Sequence, residues 1–196
     1  NSTALSTRNV PEDSSIPFDA RRDGFVIGEG AGIVVLEEYE HAKKRGARII
    51  CEIIGYSNSC DAYHIKAPHP EAEGAANAIS LALEEAGYAV GMNLYYNAHG
   101  TSTPLNDKVE TIALKKVLGE KEARRVYISS TKSMTGHMLG AAGAVETIAC
   151  AIALSTGEIP PTIGYKEPDP DCDLNYTPNV KIKADIDLAV SASLGF

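Results

Sequence analysis

Two histidines in this chain sit in settings that suit chemistry. His99 lies in N-A-H-G-T-S-T-P (97–104) and His137 in K-S-M-T-G-H (132–137), each beside a glycine and shortly after an apolar run. Imidazole changes charge near neutral pH, and its neutral form can donate a hydrogen bond to a substrate carbonyl without acting as a cation. Gly100 lets the chain turn close to a ligand. Lys132 precedes His137 by five residues, and Glu146 follows it by nine on an apolar stretch. A buried carboxylate needs a partner, and Lys132 is the candidate. Singly, each piece has an ordinary structural reading; together they could stabilise negative charge on an acyl group.

The elements that must hold these residues follow from periodicity. Short apolar runs over 94–98 and 126–129 predict two strands that end just before the two motifs, and 188–193 predicts a last buried strand. Strand ends in open α/β sheets are where ligand sites gather. Apolar residues at helical spacing over 71–86 predict a helix ending at Gly87. Asn106 is expected to cap a helix running to about Leu118, with Glu110 as its capping-box partner. A further helix over about 138–156 opens on Gly140, Ala141, Ala142 and Gly143, and Pro160 and Pro161 end it. His137 at its start would feel the positive helix end and stay neutral. Upstream, 25–36 reads as a strand, a glycine-rich turn and a second strand; 37–45 is helical and stops at Gly46; 49–56 is another strand. Residues 1–24, 57–70 and 164–179 read as loops. Strands alternating with helices imply α/β layers.

Composition narrows the function classes. The chain has 196 residues, 44% apolar and 22% charged, which is ordinary for a globular domain. Net charge is −8 with no basic patch, so nucleic acid is not an expected partner. No stretch reads as a membrane span and the start has no signal-peptide pattern, so neither membrane nor leader is expected. Cys51, Cys60, Cys150 and Cys172 are irregularly spaced, which argues against zinc and for a reducing compartment, with Cys51 and Cys150 in the core. The run Gly28-Glu-Gly-Ala-Gly32 lacks the spacing of a dinucleotide fingerprint.

The segments P-F-D-x-x-R-D-G-F-V-x-G-E-G-A-G (17–32), N-A-H-G-T-S-T-P (97–104), and S-S-T-K-S-M-T-G-H with G-A-A-G-A-V-E (129–146) closely resemble those of β-ketoacyl-acyl-carrier-protein synthases. L-E-E-Y-E-H-A-K-K-R-G-A and S-x-S-C-D-A-Y-H make the chain-elongating type II form the nearest resemblance. It runs in order along essentially the whole chain. It implies an α/β, thiolase-like fold, of which residues 1–196 would be the C-terminal half of a duplicated α-β-α-β-α architecture, incomplete at both ends. The implied reaction is decarboxylative Claisen condensation of malonyl-acyl-carrier protein with an acyl-enzyme thioester. The family's nucleophilic cysteine would lie before residue 1, in an absent N-terminal half.

By the same resemblance, His99, His137 and Lys132 would be catalytic, with Glu146, Asp107, Glu110 and Phe196 supporting the site. Thr101 and Thr103 would bind the phosphopantetheine arm that the carrier protein brings. No resident cofactor is implied. Family members can hold a monovalent cation near Asn97, Glu146 and the Ser191 segment, but Ala192 stands where asparagine is usual. Leu194 replaces phenylalanine, Ile16 replaces arginine, and Lys66 and Ala67 replace hydroxyl residues. Expected partners are acyl carrier protein, the missing half and a second copy in a homodimer. The expected location is the bacterial cytoplasm, or a plastid or mitochondrial matrix. The alternative is a non-catalytic, chain-length-factor-like pairing subunit, against which the retained histidines and lysine speak.

Overall fold

The computed structural model describes residues 4–195. Its centre is a three-stranded parallel sheet of β1 (Leu94–Asn97), β2 (Tyr127–Ser129) and β5 (Leu188–Ser191), in the order β2-β1-β5. The register pairs Asn97 with both Ser129 and Ser191, so the three strands end level. All four β1 residues are buried, as the middle strand of a covered sheet requires.

Strand alternation divides the core in two. Leu94 and Tyr96 point into a cluster with Ile79 and Leu83 of α2 (Glu73–Glu85), Val109, Ala113 and Leu114 of α3 (Pro104–Leu118), and Ile128. Tyr95 points to the other face, against Cys150 and Ala153 of α6 (Ala142–Thr156) and Ile159. The result is a helix–sheet–helix sandwich with both histidine motifs at its C-terminal strand ends. Short helices α1 (Tyr39–Lys44), α4 (Glu120–Ala123) and α5 (Lys132–Thr135), two 3-10 turns (Pro11–Asp13 and Leu139–Ala141) and an antiparallel pair, β3 (Glu158–Ile159) with β4 (Ile182–Lys183), complete the described elements.

Several expectations are corrected. The strands expected over 25–36 and 49–56 are not formed as ladders; the first segment makes only the isolated bridges Leu5–Phe25 and Ile27–His137. A ladder needs a neighbouring run to take successive backbone groups; residues 25–28 find only these isolated bridges, and 49–56 has no ladder partner among the described residues. Cys51 is consequently exposed rather than in the core, whereas Cys150 is buried. Asn106 does not cap α3: Thr103 holds the N-cap position, Pro104 opens the helix, and the Glu110 carboxylate is engaged elsewhere. Lys132 lies in a helical turn rather than a loop. His137 does not open α6, because a 3-10 turn over Leu139–Ala141 intervenes. Finally, Leu139–Thr156 does reach a mean hydropathy of 1.5 over 18 residues. It packs on β1 and β5 through one face that carries the buried Glu146, and only 22% of the stretch is buried.

Candidate active site

The first motif leaves β1 through Ala98, whose N–H still bonds to the Ser129 carbonyl at 2.9 Å. The chain then turns sharply. Gly100 has φ +37, and a Cβ there would lie 2.5 Å from the Ser130 side chain, so no larger residue fits. Glu110, fully buried on α3, organises the turn by accepting from His99 N (2.7 Å), Gly100 N (2.8 Å) and the Tyr96 hydroxyl (3.0 Å). Asp107, one helical turn earlier and also buried, accepts from Phe18 N at 2.8 Å and faces Arg22 at 3.6 Å. Phe18 is held in the left-handed region (φ 65) and stacks on Tyr176 with centroids 3.9 Å apart. A bulky residue in that conformation persists only when its surroundings fix it. The Thr101 and Thr103 hydroxyls bond to each other at 2.9 Å.

Burial pushes the Glu110 carboxyl up to about 7, although three donors favour its anion. An acid whose folded pKa exceeds its unfolded value of 4.5 contributes stability that is fully present below that value and lost as pH rises through about 7. Urea midpoints are therefore expected to fall from about pH 5 to about pH 8, and Glu110→Gln to abolish that part of the slope. The variant should also cost ~1–3 kcal/mol at acid pH, because an amide cannot accept from three donors at once. Identical pH slopes in the two proteins would contradict this.

The second motif leaves β2 and enters α5. Lys132 is only 1% exposed, and its ammonium forms a short ion pair with Glu146 Oε1. The same Nζ lies 3.4 Å from His99 Nδ1. An ammonium only donates, so Nδ1 is the acceptor and the His99 proton sits on Nε2. His137 Nδ1 accepts from Leu139 N at 3.1 Å, which likewise places its proton on Nε2. The two rings meet edge to face with centroids 5.3 Å apart. Burial, then Lys132, then His137 hold the His99 pKa well below the usual imidazole range; burial and then Lys132 lower that of His137. The Leu139 amide that His137 Nδ1 accepts from is the first of the helical stretch, whose 3-10 opening turn stands between His137 and α6. Two neutral imidazoles, each with an Nε2–H, and a nearby fixed cation can together stabilise an oxyanion.

The structure thus brings His99, His137, Lys132 and Glu146 into one cluster, with Glu110 and Asp107 behind the first turn and the two threonines along it. Phe196 lies outside the described residues. Sequence reasoning missed Phe18, the Leu139 amide and Ser15, whose hydroxyl holds the Lys132 carbonyl at 2.7 Å. Only Phe18 had a signal, its place in P-F-D. Glu146 Oε2 is buried without a partner. A single orphan oxygen, with Ala192 where a side-chain oxygen would be needed, does not make up the oxygen set that a hard cation takes, so no step is routed through one.

The family described as Beta-ketoacyl synthase, C-terminal domain, matches residues 50–166, and the corresponding N-terminal domain family matches residues 1–42. The chain is 52% identical over 194 residues to the 3-oxoacyl-[acyl-carrier-protein] synthase 2 of Synechocystis sp., covering 98% of this chain and 46% of that protein. It is 53% identical to the Coxiella burnetii protein of the same name, covering 98% and 47%. It spans about half the length of these curated relatives. Among solved structures, a type II PKS acyl-carrier protein in complex with its ketosynthase matches with a TM-score of 0.94 at 44% identity, covering 99% of this chain and 48% of that one. A beta-ketoacyl synthase from Burkholderia phymatum matches with 0.85 at 39% identity, covering 99% and 47%. The sandwich of this chain is therefore that of the thiolase-like ketosynthases, and the chain belongs to the β-ketoacyl synthase family.

Proposed function

We propose that this chain is the C-terminal half of a condensing enzyme that extends fatty acyl chains, and that His99, His137 and Lys132 serve its decarboxylation step. The observation that carries this reading is the pair of imidazoles with centroids 5.3 Å apart, each with its Nδ1 held as an acceptor, beside a buried, ion-paired lysine. In the step, the bond between the malonyl α-carbon and its carboxylate breaks and carbon dioxide leaves. The electron pair moves into an enolate, whose thioester oxygen carries the negative charge. Hydrogen bonds from both Nε2–H groups to that oxygen lower the barrier, because they strengthen as the charge develops. The α-carbon then attacks the acyl thioester held on a cysteine of the N-terminal half, and the cysteine thiolate departs. Burial, and then Lys132, keep both imidazoles neutral, so that they donate without carrying charge.

Thr101 and Thr103, on the turn beside His99, suit the amides of a phosphopantetheine arm. Acyl carrier protein is accordingly the partner in this reading; a ketosynthase of the same fold has been solved in complex with one. A homodimer in a bacterial cytosol completes the reading, in keeping with the bacterial relatives. The pairing-subunit alternative gains nothing from the structure, since such a subunit would not require the assembled histidines and lysine.

The exposed segments support the missing half. Ile33 (89% exposed), Val35 (88%), Leu36 (71%) and Ile50 (64%) lie on the two unpaired segments. The larger uncovered surface is there, rather than on the face of α6 around Val145 and Ile148, which the Gly32 segment partly covers. Exposed large apolar side chains gathered on neighbouring segments are the kind of surface that a partner covers. Two outcomes are expected of the purified 196-residue chain. It should self-associate in sedimentation and take up no radiolabelled acyl group, whereas the same chain joined to its N-terminal half should stay dispersed and become labelled. A dispersed, acylated 196-residue chain would contradict the proposal.

A further inference from the structure

We propose that Gly24–Gly28 is the element that positions His137, with Gly28 its positioning residue; this rests on the role given to His137 above. Gly28, the first glycine of the Gly28–Gly32 run, closes this segment. Residues 25–28 lie between two other pieces of backbone. On one side Phe25 N donates to Ala4 O and Ser6 N to Phe25 O, each at 2.9 Å. On the other, His137 N donates to Val26 O at 2.7 Å and Gly28 N to His137 O at 3.0 Å, a parallel bridge between Ile27 and His137. Both backbone polar groups of His137 are thus held by one short segment. The Phe25 ring also meets the His137 ring edge to face, with centroids 5.4 Å apart.

Gly28 makes this approach possible. A Cβ there would lie 2.1 Å from the Thr135 carbonyl oxygen, and Thr135 and Gly136 lead directly into His137. That obstacle is backbone, so a methyl group is accommodated only by moving the turn that carries the imidazole. Gly30 is the contrast: a Cβ there would meet the Met138 sulfur at 2.5 Å, and a methionine side chain swings aside at little cost. The segment also ties His137 to residues 4–6, the part of the described chain nearest the proposed nucleophile-bearing half.

The test compares Gly28→Ala with Gly30→Ala in the full-length protein. It reads carbon dioxide release from a malonyl thioester, acyl transfer onto the enzyme, and the imidazole resonances of selectively labelled histidine, with His137 assigned from a His137→Ala variant. Gly28→Ala is expected to lower carbon dioxide release by ~100-fold, the scale of an ångström-sized misplacement of a reacting group, with acyl transfer retained. The His137 resonance should move while Gly30→Ala leaves it in place. Where Gly28→Ala does not fold, Phe25→Leu serves instead: it keeps the backbone bridges and is expected to cost roughly tenfold in carbon dioxide release, with acyl transfer retained. A folded Gly28→Ala protein with an unmoved His137 resonance and wild-type release overturns the proposal, as does wild-type release from Phe25→Leu where Gly28→Ala fails to fold. A wild-type protein that releases no carbon dioxide would sink the role given to His137, and the resonance would still decide the positioning.

Discussion

Lys132→Met in the full-length protein is expected to lose about 3–5 kcal/mol of stability at neutral pH, because it leaves Glu146 buried and unpaired. The carboxylate is 3% exposed, Lys132 is the one cation paired with it among the described residues, and its second oxygen has no partner. Burial already pushes the Glu146 pKa up from 4.5, and the ammonium opposes that rise; removing the ammonium lifts the pKa further. The sign of the pH effect follows. An acid with a raised folded pKa contributes stability that is fully present below its unfolded pKa and lost as pH rises through the folded one. The variant should therefore be closest to wild type near pH 4.5 and weakest at alkaline pH. Adding Glu146→Gln should restore most of the loss, since the buried group then carries no charge. Both imidazoles also lose a neighbouring cation, so their pKa values should rise and the acid limb of activity should move to higher pH. Urea unfolding across pH measures the first effect. A single variant within about 1 kcal/mol of wild type at neutral pH would show that the pair behaves like a surface ion pair.

Much of the cluster was legible in the sequence because each of its members follows a strongly patterned element. Leu94–Asn97 and Tyr127–Ser129 are short apolar runs with a motif directly after each, so strand ends and histidines could be placed together. The Lys132–Glu146 pair followed from a rule about buried charge alone. What could not be read depended on partners distant in sequence. Glu110 looked like a capping residue because its offset from Asn106 fits a capping box; only tertiary structure shows its carboxylate turned to the His99 and Gly100 amides. The apolar, β-branched runs at 25–36 and 49–56 would suit a sheet, but composition does not report whether a neighbouring strand is present. At His137 the periodicity places a helix start nearby, but the 3-10 turn and the burial beside Lys132, which lowers its pKa, depend on tertiary structure.

The central claim is that two neutral imidazoles of this chain stabilise a single oxyanion. His99→Ala and His137→Ala should each lower malonyl decarboxylation by ~10²–10³-fold, the usual cost of removing one preorganised donor. Because both donors act on the same oxygen, the double variant should cost much less than the product of the two single losses. Acyl transfer onto the upstream cysteine should survive, since it draws on the other half. The most direct measurement is therefore carbon dioxide release from a labelled malonyl thioester by full-length protein whose nucleophilic cysteine has been alkylated, so that decarboxylation is seen apart from condensation. The alkylated wild-type protein is expected to go on releasing carbon dioxide, and His99→Ala/His137→Ala is not. Release at the wild-type rate from the double variant would contradict it.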